Sequence, residues 1–248
     1  MKAGQVILSK RLQMLADMVT AGSRVADVGC DHGFLAIYLV QRKTSPRALA
    51  MDVRRGPLNA AREHIEERGL GEYIETRLSD GIRELKPGEA DAVVCAGMGG
   101  RLMQSILSED LKKTESLREL ILQPQSEIRE FRRFLRQAGF RIEAEDAVYE
   151  EGKYYFAMKA SYAGGEFPEA ECTEIGEQEI YDEYGRLLLR DRHPVLRRYL
   201  LFRREAAEAL SERLEVQDSA RAAERLSEVR RELAGIEKAF ERFRENNE

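Results

Sequence analysis

The chain has 248 residues, 43% of them hydrophobic, and a formal net charge of −5. That length holds one well-filled α/β domain with an appendage, and no apolar run approaches the ~20 residues of a membrane-spanning helix, which excludes one. Cys30, Cys95 and Cys172 are scattered and His32, His64 and His193 are isolated, so no metal site is legible and a reduced, cytoplasmic compartment is expected.

The N-terminal Met1-Lys2-Ala3-Gly4-Gln5 leads into a helical stripe over residues 8–20 (Leu8, Leu12, Leu15, Met18, Val19) rather than an apolar signal core, so export is not expected. Strands are predicted at 24–29, 48–53, 73–78, 91–96 and 119–123, with helices at 34–42, 56–68, 99–107 and 127–138 between them. Alternation of this kind implies a parallel sheet with right-handed crossovers. Two more strands, about 140–148 and 153–160, flank Glu150-Glu151-Gly152-Lys153, which reads as a hairpin turn. An antiparallel pair closing a parallel sheet predicts the seven-stranded, Rossmann-like class I methyltransferase fold over residues 1–162. Residues 163–193 read as a linker and the start of an arm. Beyond them the composition turns to Arg, Glu, Leu and Ala, and two antiparallel helices, 194–215 and 219–245, are expected to pack as a coiled-coil hairpin. The seam reads at 199, 202, 206 and 209, then at Leu226, Val229, Leu233, Ile236, Phe240 and Phe243. Asp218 or Ser219 offers the second helix an N-cap.

Residues 24–34, Arg-Val-Ala-Asp-Val-Gly-Cys-Asp-His-Gly-Phe, give a strand, a glycine turn and a helix start. That layout seats an adenosine-containing cofactor. Gly29 and Gly33 are four apart with Asp31 between them, so the motif is D-x-G-x-x-x-G and not the dinucleotide G-x-G-x-x-G. A carboxylate in the turn repels phosphates and suits a sulfonium with an amino-acid tail, which selects S-adenosylmethionine over NAD. Asp27, Gly29, Cys30 and Gly33 are therefore cofactor candidates, with Asp27 orienting the turn or meeting the methionine ammonium through water. Asp52 ends the second strand, 23 residues after Gly29, placed for both ribose hydroxyls. Asp80-Gly81 follows the third strand, placed for the adenine amino group. Each acid alone could be an ordinary strand end or turn former; three in order argue for a site.

The fourth strand runs into Ala96-Gly97-Met98-Gly99-Gly100-Arg101, without the Asn/Asp-Pro-Pro-aromatic turn of methyltransferases that act on exocyclic amines. Its glycines would let the backbone pass close to the sulfonium and an incoming base, the alternative being a turn shaped by packing. Gln123-Pro124-Gln125 is expected to bring amides to the same rim. Cys95 reads as packed beneath the site. Asp31 is open to two readings, a helix N-cap or a catalytic carboxylate. His32 is either a turn histidine bonded to backbone or the partner of Asp31.

Residues 186–204 hold seven arginines against Asp191 alone, a local +6 that leaves −11 for the rest. The helix 127–141 adds Arg129, Arg132, Arg133, Arg136 and Arg141 against Glu127 and Glu130. Beside a cofactor fold, clusters of this kind read as phosphate-tracking surface.

Leu8-Ser9-Lys10-Arg11-Leu12, Asp27-Val28-Gly29-Cys30-Asp31-His32, Ala96-Gly97-Met98-Gly99-Gly100 and Gln123-Pro124, followed by a helical hairpin, together resemble the bacterial tRNA adenine-22 N1-methyltransferases, the TrmK family. Cys30 stands where that family typically has Ser, Gly33-Phe34 where it often has Ala-Tyr, and Gln125 where Asn is usual. The resemblance implies S-adenosylmethionine as methyl donor and tRNA as partner, with no membrane or metal. Asp27, Gly29, Cys30, Gly33, Asp52, Asp80, Gly81, Ala96, Gly97 and Met98 would hold the cofactor. Lys10, Arg11, Gly99, Gly100, Arg101, Gln123, Pro124, Arg197, Arg198, Arg203 and Arg204 would meet the tRNA. Adenine N1 carries an in-plane lone pair, so catalysis is mainly positioning of a base swung out of its pairing. Asp31 is the expected catalytic carboxylate facing the developing charge, with His32 orienting it. A monomer is expected, since the hairpin satisfies its own seam. The alternatives are a methyltransferase for a small molecule or protein, or a non-catalytic RNA-binding protein with a relic cofactor fold.

Overall fold

Apolar runs without alternation build strands covered on both faces, and β1 (Val25–Val28), β2 (Ala48–Asp52) and β5 (Glu119–Pro124) are buried at every position. The computed structural model describes residues 4–164 and 176–243, and the chain divides into two units, Met1–Pro168 and Glu169–Glu248. In the first unit β3 (Ile74–Leu78), β4 (Ala92–Met98), β6 (Phe140–Glu150) and β7 (Lys153–Tyr162) complete a seven-stranded sheet of order β3-β2-β1-β4-β5-β7-β6. The first five strands in chain order pair in parallel, and β7 runs antiparallel between β5 and β6. Glu150 pairs with Lys153, so Glu151 and Gly152 form the two-residue turn; both have positive φ, as such hairpin turns require.

The helices are α1 (Lys10–Met18), α2 (Phe34–Gln41), α3 (Arg55–Glu67), α4 (Gly100–Glu109), α5 (Leu111–Glu115) and α6 (Ile128–Gln137). Ser9 caps α1, its hydroxyl accepting from the Leu12 N–H. The short α5 is not legible as a periodic stripe; Asp110 starts it by accepting from Lys113 N. Strand order reverses between β1 and β4, which pair with each other while β2 lies outside β1. The crossovers diverge there and leave a crevice at the strands' carboxyl ends, the place where α/β sheets bind ligands.

Residues 165–175, including Cys172, lie outside the described residues. The rest of the predicted linker differs from expectation. It contains α7 (Glu177–Tyr184) and α8 (Arg186–Arg190), divided at Gly185. Three consecutive leucines, Leu187–Leu189, are all buried, and a run of that kind shows no helical period to read. α9 (Pro194–Glu215) and α10 (Ala220–Glu241) form the expected pair, with Ser219 as the cap of α10. The α10 seam lies where predicted, with Val229, Ile236 and Phe240 buried. The α9 seam does not: Leu196, Leu200, Ala207 and Ser211 are buried, while Phe202, Ala206 and Ala209 are exposed. The face is set by where arginine stems can lie. Arg203 Nε donates to Glu232 at 3.0 Å, and the Arg204 guanidinium sits 5.3 Å from the Phe240 ring. Apolar letters alone cannot reveal this, because an arginine stem covers apolar surface.

Candidate active site

The carboxyl ends of β1, β2 and β4 open into a cleft of about 410 Å³. Asp27, the third residue of β1, lines it with a buried side chain whose Oδ2 has no hydrogen-bond partner. Burial pushes this carboxyl up to about 7; the Ala36 backbone N–H opposes the shift and the charge of Asp52 adds to it. An orphaned buried carboxylate oxygen facing a cleft is costly unless a cation or donor arrives there. Asp52 is equally buried. Its Oδ1 accepts from Arg54 N at 2.8 Å, and its Oδ2 lies 3.4 Å from Asp31 N. Asp80 is exposed on the cleft wall, 3.8 Å from Arg83. Beneath it Ser79 Oγ donates to the Gly81 carbonyl and accepts from Glu84 N, fixing a turn that the sequence alone does not reveal.

Gly29 has φ +76°, and a Cβ there would stand 2.3 Å from Met98 Cε. The missing side chain is therefore what lets the Met98 methyl pack against the end of β1, where β1 meets β4. Gly81, Ala96, Gly97 and Met98 also line the cleft. Other predicted glycines serve packing as well. A Cβ on Gly33 would meet Ala61 at 3.0 Å, and one on Gly100 would lie 2.7 Å from the Ser126 carbonyl. Gly33, Gly99 and Gly100 do not line the cleft.

Asp31 has φ +50° and a side chain 65% exposed, with His32 Nε2 at 3.8 Å. The cap reading of Asp31 does not hold, because the N-cap of α2 is Gly33, in the left-handed region, with no side-chain cap bond. Asp31 and His32 both line the cleft. His64, an isolated histidine by sequence, reaches the same turn from α3, its Nδ1 3.1 Å from the His32 carbonyl.

Arg11 is held at the cleft by Gln123 Oε1 at 3.3 Å and by the Tyr155 ring at 5.4 Å. Glu150 seats the start of its helix, accepting from Lys10 N at 2.7 Å and Arg11 N at 3.1 Å. Lys10 therefore contributes backbone, and its side chain does not line the cleft. Gln123 and Pro124 are buried and present nothing to a base edge; Gln125, exposed, is the amide at the rim. The Gln123 amide goes instead to Arg11 and the Pro124 carbonyl. Arg101 is 87% exposed beside Glu127 and lies outside the cleft. Burial pushes the Cys95 thiol up to about 12 and raises that of Cys30 as well, so neither is a nucleophile.

Among the predicted phosphate contacts, Arg132 is corrected. It is buried and paired with buried Glu145 at 2.8 Å. In the helical unit Arg203 is spent on Glu232 and the Tyr199 hydroxyl, and Arg204 lies near Glu208, Glu237 and Phe240. Arg197 and Arg198 stand exposed near the start of α9. Arg203→Ala should therefore loosen the hairpin, by about 1 kcal/mol for its hydrogen bonds. A lowered unfolding midpoint for the helical unit, against no change for Arg197→Ala, checks it.

Among the described residues no group of His, Cys, Asp and Glu is placed to hold a metal ion, and no helix is long and apolar enough to cross a membrane. Residues 8–158 match the methyltransferase domain family. The chain is 37% identical to the tRNA (adenine(22)-N(1))-methyltransferase of Bacillus subtilis over 153 residues, which span 62% of this chain and 64% of that protein, just under two thirds. The solved structure of the B. subtilis M1A22 tRNA methyltransferase TrmK covers 94% of this chain and 99% of its own, at 27% identity and a TM-score of 0.81. That of Mycoplasma capricolum TrmK with S-adenosylhomocysteine covers 95% and 98%, at 25% identity and a TM-score of 0.77. The chain belongs to the methyltransferase domain family.

Proposed function

We propose that this protein transfers a methyl group from S-adenosylmethionine to N1 of adenine 22 in tRNA. The observation that carries the reading is the acidic cleft, in which Asp27, Asp52 and Asp80 stand beside the Asp31–His32 turn. The nucleotide position comes from the relatives. The cleft fits the cofactor: the orphaned Asp27 oxygen suits an ammonium, and Gly29 and Gly97 line it. Asp52 would hold the ribose and Asp80 the adenine edge. When bound, S-adenosylmethionine supplies an electrophilic methyl on a sulfonium. The protein's own part is to hold adenine N1 in line with it and exclude misaligned poses. Asp31 faces the positive charge that develops on the base, and His32 orients Asp31. Arg11, pinned by Gln123 and Tyr155, is a fixed cation for the incoming nucleotide. In the helical unit, Arg197 and Arg198 are the phosphate contacts. A tRNA substrate places the protein in the cytoplasm, and we read it as a monomer.

Labelled S-adenosylmethionine and unmodified tRNA should yield N1-methyladenosine at position 22, and a transcript with guanine there should stay unlabelled. No label on the first transcript rejects the proposal.

Asp27 gives a pH prediction. Its folded pKa of about 7 lies above the unfolded value, so its contribution to stability is present at acidic pH and lost as pH rises toward 7. An ammonium beside it favours the carboxylate, so cofactor affinity should rise as pH increases through about 7 and then level off. One unit below, binding should be about tenfold weaker. Calorimetric titration across this range checks the slope, and Asp27→Asn should flatten it.

A further inference from the structure

The turn that presents Asp31 is unusual backbone: Asp31 and Gly33 both have positive φ, at 50° and 71°. A non-glycine residue in that region is held there by its surroundings. The holding comes from one face of α3. Ala61 leaves no room for a side chain on Gly33, the ring of His64 stacks on Phe34 at 4.8 Å and 20°, and His64 Nδ1 lies 3.1 Å from the His32 carbonyl. Ala61 and His64 are three apart, so a single helical stripe makes all three contacts. A carbonyl only accepts, so His64 donates and carries its proton on Nδ1. Nothing in the proposed chemistry uses His64 directly, and it does not line the cleft.

We propose that His64 is the positioning residue of the catalytic turn: its Nδ1–H holds the His32 carbonyl and, through it, the left-handed backbone that aims Asp31 into the cleft. The inference rests on the reading of Asp31 as the acting carboxylate. The donor does the holding, and the ring stack supports it.

Two full-length variants separate donor from ring. His64→Phe keeps an aromatic ring against Phe34 and loses the donor. His64→Asn loses the ring and keeps a donor at the δ position. His64→Phe should slow single-turnover methyl transfer about tenfold, the cost of a small misalignment, with cofactor and tRNA dissociation constants near the parent's. It should also speed amide hydrogen exchange at residues 31–34 about tenfold while β1 and β2 exchange as before. His64→Asn should return both readouts to within about threefold of the parent. Parent values for either readout in His64→Phe overturn the proposal, and so does an equal defect in His64→Asn. If the parent methylates no tRNA, the functional reading fails on its own, and the exchange comparison still decides the role of His64.

Discussion

Asp31→Asn should lower the single-turnover rate of methyl transfer by about two orders of magnitude, the usual loss when a group facing transition-state charge is removed. Asn is the right replacement because the position has φ +50°, and Asn tolerates left-handed backbone where Ala would add strain. The change therefore removes charge and little else. Asp31 is largely exposed and makes no cap, so cofactor and tRNA affinities should stay within about twofold. Rapid-quench turnover with both ligands saturating isolates the step. A parent rate would mean that the carboxylate has no part in the reaction.

Asp52→Ala should weaken S-adenosylmethionine binding by about 1–3 kcal/mol, because ribose hydroxyls would lose their acceptor inside a buried site. Calorimetry checks that value. The same substitution carries a second effect. Asp52 Oδ2 lies 3.4 Å from Asp31 N, so one carboxylate serves both the cofactor pocket and the catalytic turn. Turnover should therefore remain slow even with cofactor saturating. Full recovery at saturation would confine Asp52 to binding.

The fold was legible because its signals are local. Apolar runs marked strands buried on both faces, and Glu151-Gly152 marked the hairpin. Asp27, Asp52 and Asp80 line the cleft as their places at or just beside the carboxyl ends of β1, β2 and β3 suggest, since a strand's end fixes where neighbouring side chains stand. What escaped depends on partners far away in the chain. Gln123 is a rim amide by position, yet it is buried against Arg11, 112 residues earlier. His64 reaches a turn 32 residues before it. Arg203 reads as a phosphate ligand until Glu232 on the opposing helix claims it. The α9 stripe slipped to a neighbouring face because arginine stems, counted as charge, cover apolar surface there.

The bond between Glu150 and the first turn of α1 spans 140 residues. During synthesis, the strands bearing Asp27 and Asp52 leave the ribosome long before the carboxylate that seats Arg11. A nascent chain halted short of β6 thus has the acidic half of the cleft without its fixed cation. Under the proposed function, competence toward the nucleotide therefore arrives late, when the final hairpin zips onto the sheet.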